Sequence, residues 1–301
     1  MTAGSTRKIR SSAQVIDGGG SAIAEAGLSA FKNFPFSDAD FRRLQQMIFD
    51  HAGISLNNNK KPMAYSRLTK RLRQLDLSTF AEYLDFVESS GEDERIRFIN
   101  ALTTNLTSFF REAHHFPILV DHLMHMTAND PLLVWSAACS TGEEPYSIAM
   151  AVIEAFATDK PPVRIIASDL DTEALATAAR GVYPMDKLES LSPQRLKKFF
   201  LKGTGAQSGF ARIRPEVKRM VEFRQINLHD GPWDMQAPVA AIFCRNVMIY
   251  FNKATQAKIL VRFRPLLRPN GLLFAGHSEN FFYNAGDIFR GRGKTVYELA
   301  A

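Results

Sequence analysis

Two stretches of the sequence decide the fold: Val134-Trp-Ser-Ala-Ala-Cys-Ser-Thr-Gly-Glu-Glu-Pro-Tyr-Ser147 and Ile242-Phe-Cys-Arg-Asn-Val-Met-Ile-Tyr-Phe251. Each begins as an apolar run typical of a buried strand and then changes abruptly to small, polar and charged residues. In an open α/β sheet, ligands bind in the crevice beyond the carboxyl ends of the strands. We therefore expect the two strand ends to form one pocket, and function is to be sought there.

Strand and helix patterns alternate from residue 132 to the C-terminus. Strands are predicted at 132–138, 163–168, 221–226, 239–244, 272–275 and 295–299, and helices at 145–156, 172–180 and 253–267. Alternation of this length indicates an α/β protein with a doubly wound, mostly parallel sheet. Residues 182–220 interrupt the pattern with a helix at 192–200 and a glycine-rich segment, and we interpret them as an inserted small antiparallel β subdomain.

A helical region precedes the sheet. Residues 1–33 mix Ser, Gly, Ala and scattered charge without a period, which predicts a flexible tail. Residues 34–110 show helical spacing of apolar side chains and are predicted to form an all-α domain, which leaves 111–301 for the sheet domain. Thr79 and Glu82 have the spacing of a capping box and predict the start of one of these helices.

The composition and charge limit the classes of partner. Of the 301 residues 46% are hydrophobic, and 37 basic against 31 acidic residues give a net charge of +6. The bases are concentrated at 57–75 and 182–222, which favours an acidic partner, either nucleic acid or an acidic protein, at these places. Cys139 and Cys244 lie in apolar surroundings and are expected to be reduced in a cytoplasmic protein. No apolar run reaches the length of about 18 residues that a membrane span needs, so we expect no membrane insertion.

The loop after the first strand has unusual chemistry for a nucleotide-binding sheet. It lacks the GxGxxG pattern that lets backbone amides approach a pyrophosphate. Glu143 and Glu144 stand there instead and would attract a cation, although they could also merely begin a helix ahead of Pro145. Asp169 ends the second strand, where an acid commonly binds ribose hydroxyls, whereas Asp171 is expected to cap the next helix. A ligand with a ribose, no phosphate and a positive charge fits S-adenosylmethionine.

Five longer motifs extend these observations: Thr104-Asn-Leu-Thr-Ser-Phe-Phe-Arg-Glu112, Ser140-Thr-Gly-Glu-Glu-Pro-Tyr-Ser147, Ala167-Ser-Asp-Leu-Asp-Thr-Glu173, Cys244-Arg-Asn-Val-Met-Ile-Tyr-Phe251 and Gly271-Leu-Leu-Phe-Ala-Gly-His-Ser-Glu-Asn280. They closely resemble those of the chemotaxis receptor glutamate methyltransferases, the CheR family, from residue 36 onwards. The resemblance implies a Rossmann-like class I methyltransferase domain at 111–301. It also implies S-adenosylmethionine as methyl donor and S-adenosylhomocysteine as product.

The resemblance assigns roles to single residues. Arg111 and Tyr250 are implied to lie beside the transferred methyl group as catalytic residues. The other roles are contacts to the cofactor, with the choice between Glu143 and Glu144 left open. The implied cofactor contacts are Asn105, Thr107, Arg111, Glu143, Glu144, Asp169, Asn227, Leu228, Arg245 and Asn246.

The resemblance also implies a partner. Membrane-embedded chemoreceptors carry cytoplasmic methylation helices with clustered glutamates, and the basic face of the second helix, with Arg67, Lys70 and Arg71, could hold such a helix. The alternative is an ordinary solvated helix face. The insert resembles that of members that bind a peptide at the receptor's C-terminal tail, where a peptide can add as an extra strand. The candidate insert residues are Lys202, Gly203, Gly205, Gly209 and Arg212.

The expected reaction is transfer of a methyl group to a glutamate oxygen. A free glutamate has a pKa of about 4.3, so it is already ionised at neutral pH and requires no general base. Arg111 and Tyr250 are therefore assigned to positioning. Arg245-Asn-Val-Met-Ile-Tyr250 differs from the Asn/Asp-Pro-Pro-Tyr/Phe of base methyltransferases, which disfavours an RNA methyltransferase and nucleic acid as partner. Another protein substrate and a non-catalytic S-adenosylmethionine-binding adaptor stay open. We expect a monomer. We also expect no metal site, because His122 and His125 have no evident third ligand.

Overall fold

The computed structural model describes residues 33–126, 131–235, 238–281 and 286–300. The chain divides into two units, residues 1–35 and residues 36–301, and all elements named below belong to the second. The predicted tail at 1–33 lies outside the described residues except for its last position.

Helices form the first part of the second unit, as the sequence predicts. Apolar spacing explains their packing, since the buried side of α1 consists of Phe41, Leu44, Met47, Ile48 and Ala52. The predicted capping box of Thr79 and Glu82 is present at α3, and Ser37 forms another with Asp40 at α1. The helices are α1 (Asp38–Ala52), α2 (Lys61–Gln74), α3 (Phe80–Ser89), α4 (Glu92–Leu102) and, after a turn, α5 (His115–Met124).

A sheet of seven strands follows, in the order β6-β2-β1-β7-β8-β10-β9. The first five of these strands in that order pair in parallel, and β10 pairs antiparallel with both β8 and β9. The strands are β1 (Leu132–Ser136), β2 (Val163–Asp169), β6 (Val221–Gln225), β7 (Val239–Cys244), β8 (Leu267–Ala275), β9 (Phe289–Gly293) and β10 (Val296–Leu299). The helices α6 (Glu143–Ala155), α7 (Thr172–Arg180) and α10 (Lys253–Phe263) belong to this domain. The predicted doubly wound, mostly parallel sheet is confirmed.

Both faces of the sheet are covered. Successive side chains of β1 point to opposite faces of the sheet. Val134 packs with α6 on one face, and Trp135 packs with Phe263 of α10 on the other. Strand β7 is buried along its whole length. The strand order reverses between β1 and β7, so their carboxyl ends frame the crevice where such sheets bind ligands.

A second, three-stranded antiparallel sheet lies between α7 and β6 in the chain. Its order is β3-β5-β4, and the predicted small antiparallel sheet is thus confirmed. Its inner side belongs to the apolar cluster that contains Val134, through Tyr183, Phe200 and Ile213. The elements are β3 (Val182–Pro184), α8 (Pro193–Phe199), β4 (Phe200–Lys202), β5 (Phe210–Ile213) and α9 (Pro215–Lys218).

Some boundaries differ from the predictions. Helix α10 ends at Phe263 instead of 267, because a short 3₁₀ turn with Pro265 follows and β8 already begins at Leu267. Strand β9 was not predicted, since Arg-Gly-Arg-Gly has no apolar alternation after Phe289. Within the described ranges, no helix is both long and apolar enough to cross a membrane.

Candidate active site

One cavity lies at the carboxyl ends of β1 and β7. Its volume of about 300 Å³ is at the lower end of the range for small-molecule sites, roughly 300–1,000 Å³. Both predicted catalytic residues, Arg111 and Tyr250, lie in its walls. The predicted cofactor contacts in the walls are Asn105, Thr107, Arg111, Glu144, Asp169, Asn227, Leu228, Arg245 and Asn246.

Glu144 is the carboxylate that the loop after β1 brings to this cavity. Ser136, the last residue of β1, donates to Glu144 Oε1 over 2.7 Å. The turn requires Gly142, which has φ 97°, and a Cβ there would lie 2.8 Å from that of Ala178. Glu143 accepts instead from Thr141 over 2.7 Å, and among the described residues the cavity walls include Glu144 but not Glu143. The geometry therefore favours Glu144 as the ligand contact.

Asp169 ends β2 at the floor of the cavity. Its Oδ2 accepts from the amide of Ser140 over 2.7 Å and its Oδ1 from the amide of Asp171 over 3.0 Å. Burial raises the pKa of Asp169 above its ordinary value, although both amides oppose that shift. Asp171 caps α7 as predicted, and its other oxygen accepts from Asn105 Nδ2 over 2.6 Å. The cap thus also positions a predicted cofactor contact.

Arg245 forms the centre of a buried charged network. Its side chain is 2% exposed, and Nε lies 3.3 Å from Glu144 Oε2 and 3.6 Å from Glu112 Oε2 in ion-pair rather than hydrogen-bond orientation. Nη2 donates to the carbonyl of Arg111 over 2.6 Å. Burial raises the pKa of Glu144, and Arg245 and Ser136 oppose that shift. Burial also opposes ionisation of Glu112, but the amide of His277 and Arg245 outweigh it and lower the pKa of Glu112.

Arg111 lies in a tight turn between two residues with left-handed backbone. Phe110 and Glu112 have φ 52° and 55°, which costs free energy in residues that carry a Cβ. A hydrogen bond of 2.9 Å from the amide of Phe110 to Ser147 Oγ joins this turn to α6. The guanidinium of Arg111 donates from Nη1 to the carbonyl of Leu106 over 3.0 Å. These bonds fix the direction of the Arg111 side chain along the cavity wall.

The helical domain also contributes residues before α3 to the cavity, and these were not predicted from the sequence. The amide of Ser55 donates to the carbonyl of Tyr250 over 2.8 Å, and Ile54 forms an isolated β-bridge with Phe251. Asn227 Nδ2 donates to the carbonyl of His51 over 2.8 Å. The wall residues from this domain before α3 are Ala52, Ile54, Ser55, Leu56, Asn57, Lys60 and Met63.

The three bases predicted to face the substrate differ in their surroundings. Arg71 donates from Nε to buried Glu94 over 2.7 Å and pairs with it through Nη2 as well, so its charge is offset inside the domain. Arg67 donates to the carbonyl of Thr103, which is a neutral acceptor. Lys70 is exposed. The structure thus gives Arg71 an internal role that the pattern of bases did not predict.

The candidate residues of the insert lie together, apart from the cavity walls described above. Lys202 ends β4, and the next amide, that of Gly203, donates to the carbonyl of Phe210 over 2.8 Å. Gly205 and Gly209 have φ 56° and 89°, so the connection between β4 and β5 uses the left-handed region that glycine adopts without strain. Arg212 is exposed in the middle strand.

Cysteine and histidine residues near the site have ordinary roles. Cys139 and Cys244 are buried free thiols, and burial raises the pKa of both, which leaves them inert. The exposed ring of His277 lies 3.1 Å from Glu112 Oε1. No group of three or more potential metal ligands occurs in the part of the chain that the structure describes.

The donor set of the cavity fits S-adenosylmethionine. Glu144 and Asp169 offer carboxylates to cationic groups and hydroxyls, while the amide side chains of Asn105 and Asn246 suit polar atoms of a nucleoside. Buried Arg245 Nη1 has no hydrogen-bond partner among the described residues, so a donor remains for a ligand. The loop offers no run of free glycine amides to a pyrophosphate. The fold and the site together define an S-adenosylmethionine-dependent methyltransferase.

Comparisons with known proteins identify the family. Residues 39–103 match the model of the CheR methyltransferase all-alpha domain, and residues 105–297 match that of the CheR methyltransferase SAM binding domain. The chain belongs to the CheR methyltransferase family. It is 49% identical to chemotaxis protein methyltransferase 2 of Pseudomonas aeruginosa over 89% of this chain and 96% of the relative. It is 50% identical to the chemotaxis protein methyltransferase of Salmonella typhimurium over 91% of this chain and 94% of the relative.

Proposed function

We propose that the protein transfers methyl groups from S-adenosylmethionine to glutamate side chains of chemoreceptors and so forms methyl esters. The observation that carries the proposal is a carboxylate-lined cavity with Arg111 and Tyr250 together in its walls. This arrangement suits a substrate that is itself an anion and needs no deprotonation, because a free glutamate ionises at a pKa of about 4.3.

The residues of the cavity bind, orient and exclude water. S-adenosylmethionine, when bound, supplies a methyl group on a positively charged sulfur. Glu144 and Asp169 hold its charged and hydroxyl groups, while Asn227, Leu228 and Asn246 contact the nucleoside. The resulting fixed arrangement supplies most of the rate through proximity.

Arg111 and Tyr250 hold the substrate carboxylate rather than stabilise new charge. A carboxylate that attacks a sulfonium loses charge in the transition state, so a tight ion pair with Arg111 would stabilise the reactants more than the transition state. The guanidinium of Arg111 already donates one bond to the carbonyl of Leu106, which limits its freedom to form a bidentate pair. We therefore assign both residues to positioning the acceptor oxygen and the methyl donor.

The substrate side of the proposal uses two basic surfaces. Lys70 and Arg67 attract the acidic methylation helices of a receptor in the cytoplasm, whereas Arg71 supports the helical domain through Glu94. Strand β4 lies at the edge of the insert's sheet, where a peptide from the receptor's tail can add as a further strand. Lys202 and Arg212 supply positive charge for carboxylates of such a peptide.

The test is incubation of the protein with methyl-labelled S-adenosylmethionine and either receptor-containing membranes or tRNA. Base-labile label on the receptor supports glutamate ester formation. Label on RNA supports a nucleic-acid methyltransferase, and binding of the donor without label on either substrate supports an adaptor. Arg111→Ala and Tyr250→Phe should each lower kcat for methyl transfer strongly, to a residual rate that labelled donor still detects, while the circular dichroism spectrum is retained. Full turnover by folded Arg111→Ala would remove its assigned role.

A further inference from the structure

Glu279 lies buried beside the loop that carries Tyr250. Only 5% of its surface is exposed. Its Oε2 accepts from the amide of Asn246 over 2.9 Å and from that of Gly276, and its Oε1 accepts from the amide of Met248 over 2.8 Å. One carboxylate therefore joins the loop after β7 to the loop after β8.

The loop after β7 needs this partner because its own geometry leaves amides without a ladder or helix bond. Asn246 has a left-handed backbone with φ 58°, so the chain turns sharply just after β7. A buried amide without an acceptor costs roughly 1–3 kcal/mol. The two oxygens of Glu279 accept from the amides of Asn246 and Met248 and so remove that cost. Both bonds can form together only when the loop has the conformation seen here.

The neighbouring loop is packed just as closely. A Cβ at Gly276 would overlap Asn246 Nδ2 and would lie 2.8 Å from the amide nitrogen of Asn246 and 2.8 Å from Glu279 Oε2. Gln256 Nε2 meanwhile donates to the carbonyls of Met248 and Phe251 over 2.8 and 3.0 Å. The segment that contains Tyr250 is therefore held at its amides by Glu279 and at its carbonyls by Gln256.

We propose that Glu279 is a positioning residue for methyl transfer, which acts through Tyr250 by fixing the loop from Arg245 to Phe251. Its oxygens accept from main-chain amides, and among the described residues it is not one of those that line the cavity. Glu279 therefore does not touch the reacting atoms. The inference rests on the proposed function, since the role of Tyr250 is part of that proposal.

The variant Glu279→Gln tests this role with almost no change in volume. A carboxylate offers two acceptor oxygens, whereas a carboxamide offers one and places an NH₂ group against an amide N–H at the other. We expect kcat for methyl transfer to fall by about tenfold or more. The KM for S-adenosylmethionine should rise by a smaller factor, because the nucleoside contact Asn246 lies on the same loop. The control Glu298→Gln changes a carboxylate of β10 that pairs with Arg290 and Arg292, and it should keep wild-type kcat.

A purely structural role is distinguished by repeating the substitution in a Tyr250→Phe background. If Glu279 acts through Tyr250, Glu279→Gln should lower kcat much less there than in the wild type, because the two changes remove the same contribution. Equal effects in both backgrounds would overturn the inference, as would a folded Glu279→Gln with wild-type kcat.

A second variant covers the case in which Glu279→Gln does not fold. Gly276→Ala displaces the side chain and the amide of Asn246 together with Glu279 Oε2, so it disturbs the same contact from the loop after β8. It should lower kcat, and its effect should likewise be smaller in the Tyr250→Phe background than in the wild type. A folded Gly276→Ala with wild-type kcat would then contradict the inference. Wild-type protein that forms no ester on receptors would contradict the proposed function instead, so the two failures are distinct.

Discussion

Arg245 Nη2 donates a 2.6 Å hydrogen bond to the carbonyl oxygen of Arg111, which lies 134 positions earlier in the chain. The bond joins the end of β7 to the turn that follows the helical domain. Because Arg245 also pairs with Glu144 at the start of α6, one guanidinium connects three parts of the cavity wall. The position of Arg111 therefore depends on a residue whose predicted role was only to contact the cofactor.

The first prediction concerns the guanidinium of Arg245. Lysine keeps the charge of Arg245 but has no planar set of donors, so Arg245→Lys cannot hold the Arg111 carbonyl and Glu144 together. We expect kcat/KM for methyl transfer to fall by about tenfold or more, equivalent to roughly 1.4 kcal/mol of transition-state stabilisation. Steady-state kinetics with labelled donor measure it. Arg290→Lys, on the surface of β9, is the control, and kcat/KM within about twofold of wild type for Arg245→Lys would contradict the prediction.

Local signals and strand ends predicted much of this architecture. The capping box at Thr79 and the cap at Asp171 depend on neighbours a few positions away, so a single sequence contains all that is needed. The switch point between β1 and β7 follows from two strand ends with polar chemistry. Asp169 and the pair Glu143 and Glu144 could thus be predicted to lie at one crevice, whereas the choice between Glu143 and Glu144 depends on the turn at Gly142.

Contacts between distant segments could not be predicted in this way. Arg71 looked like a free surface base because Glu94, its partner, lies 23 positions later on another helix. Ser55 reaches Tyr250 only because the helical domain packs over the cavity. Glu279 binds main-chain amides, and such partners leave no mark in a pattern of side chains. Long-range packing, rather than local propensity, determines these features.

The second prediction is a dependence of cofactor affinity on pH. Burial raises the pKa of both Asp169 and Glu144, so each takes up a proton at a higher pH than a carboxyl group in an unfolded chain. A protonated carboxyl no longer attracts a cationic ligand. Affinity for S-adenosylmethionine should therefore fall as pH decreases through these raised pKa values.

Isothermal titration calorimetry from about pH 8 to about pH 5 checks this, since the ordinary carboxyl range lies near 4. Binding near the lower end should also release protons, which makes the measured enthalpy depend on the buffer. Asp169→Asn should weaken binding at neutral pH and reduce the dependence on pH. A dissociation constant that stays the same across the whole range would refute the prediction.

The third prediction separates two bases on α2. Arg71→Ala leaves the buried carboxylate of Glu94 without its bidentate partner, and we expect the free energy of unfolding to fall by about 2–4 kcal/mol, reduced from a fully buried pair because Arg71 is partly exposed. Lys70→Ala removes an exposed charge and should leave stability within about 0.5 kcal/mol of wild type. Urea denaturation followed by circular dichroism measures both changes.

Methylation kinetics on receptor membranes complete that comparison. Lys70→Ala should raise the KM for the receptor at low salt, and the difference from wild type should shrink as salt is added, because exposed charges are screened. Lys258→Ala, at an exposed position within α10, serves as the matched lysine control. An unchanged KM for Lys70→Ala at low salt would show that this helix face is simply solvated.

The fourth prediction concerns the insert. A Cβ at Gly203 would lie 2.1 Å from the carbonyl oxygen of Gln207, so Gly203→Ala must move the connection between β4 and β5. At Gly293 a Cβ meets nothing within 4 Å, and Gly293→Ala is therefore a matched control.

If the edge of β4 binds the tail peptide of a receptor, Gly203→Ala should weaken binding of that peptide by about tenfold or more, since the main-chain bonds of an added strand require an intact edge. Methylation of a receptor fragment that lacks the tail should stay unchanged, because the insert does not contribute to the cavity walls as described. Equal peptide affinity of both glycine variants, measured by calorimetry, would place the peptide elsewhere on the protein.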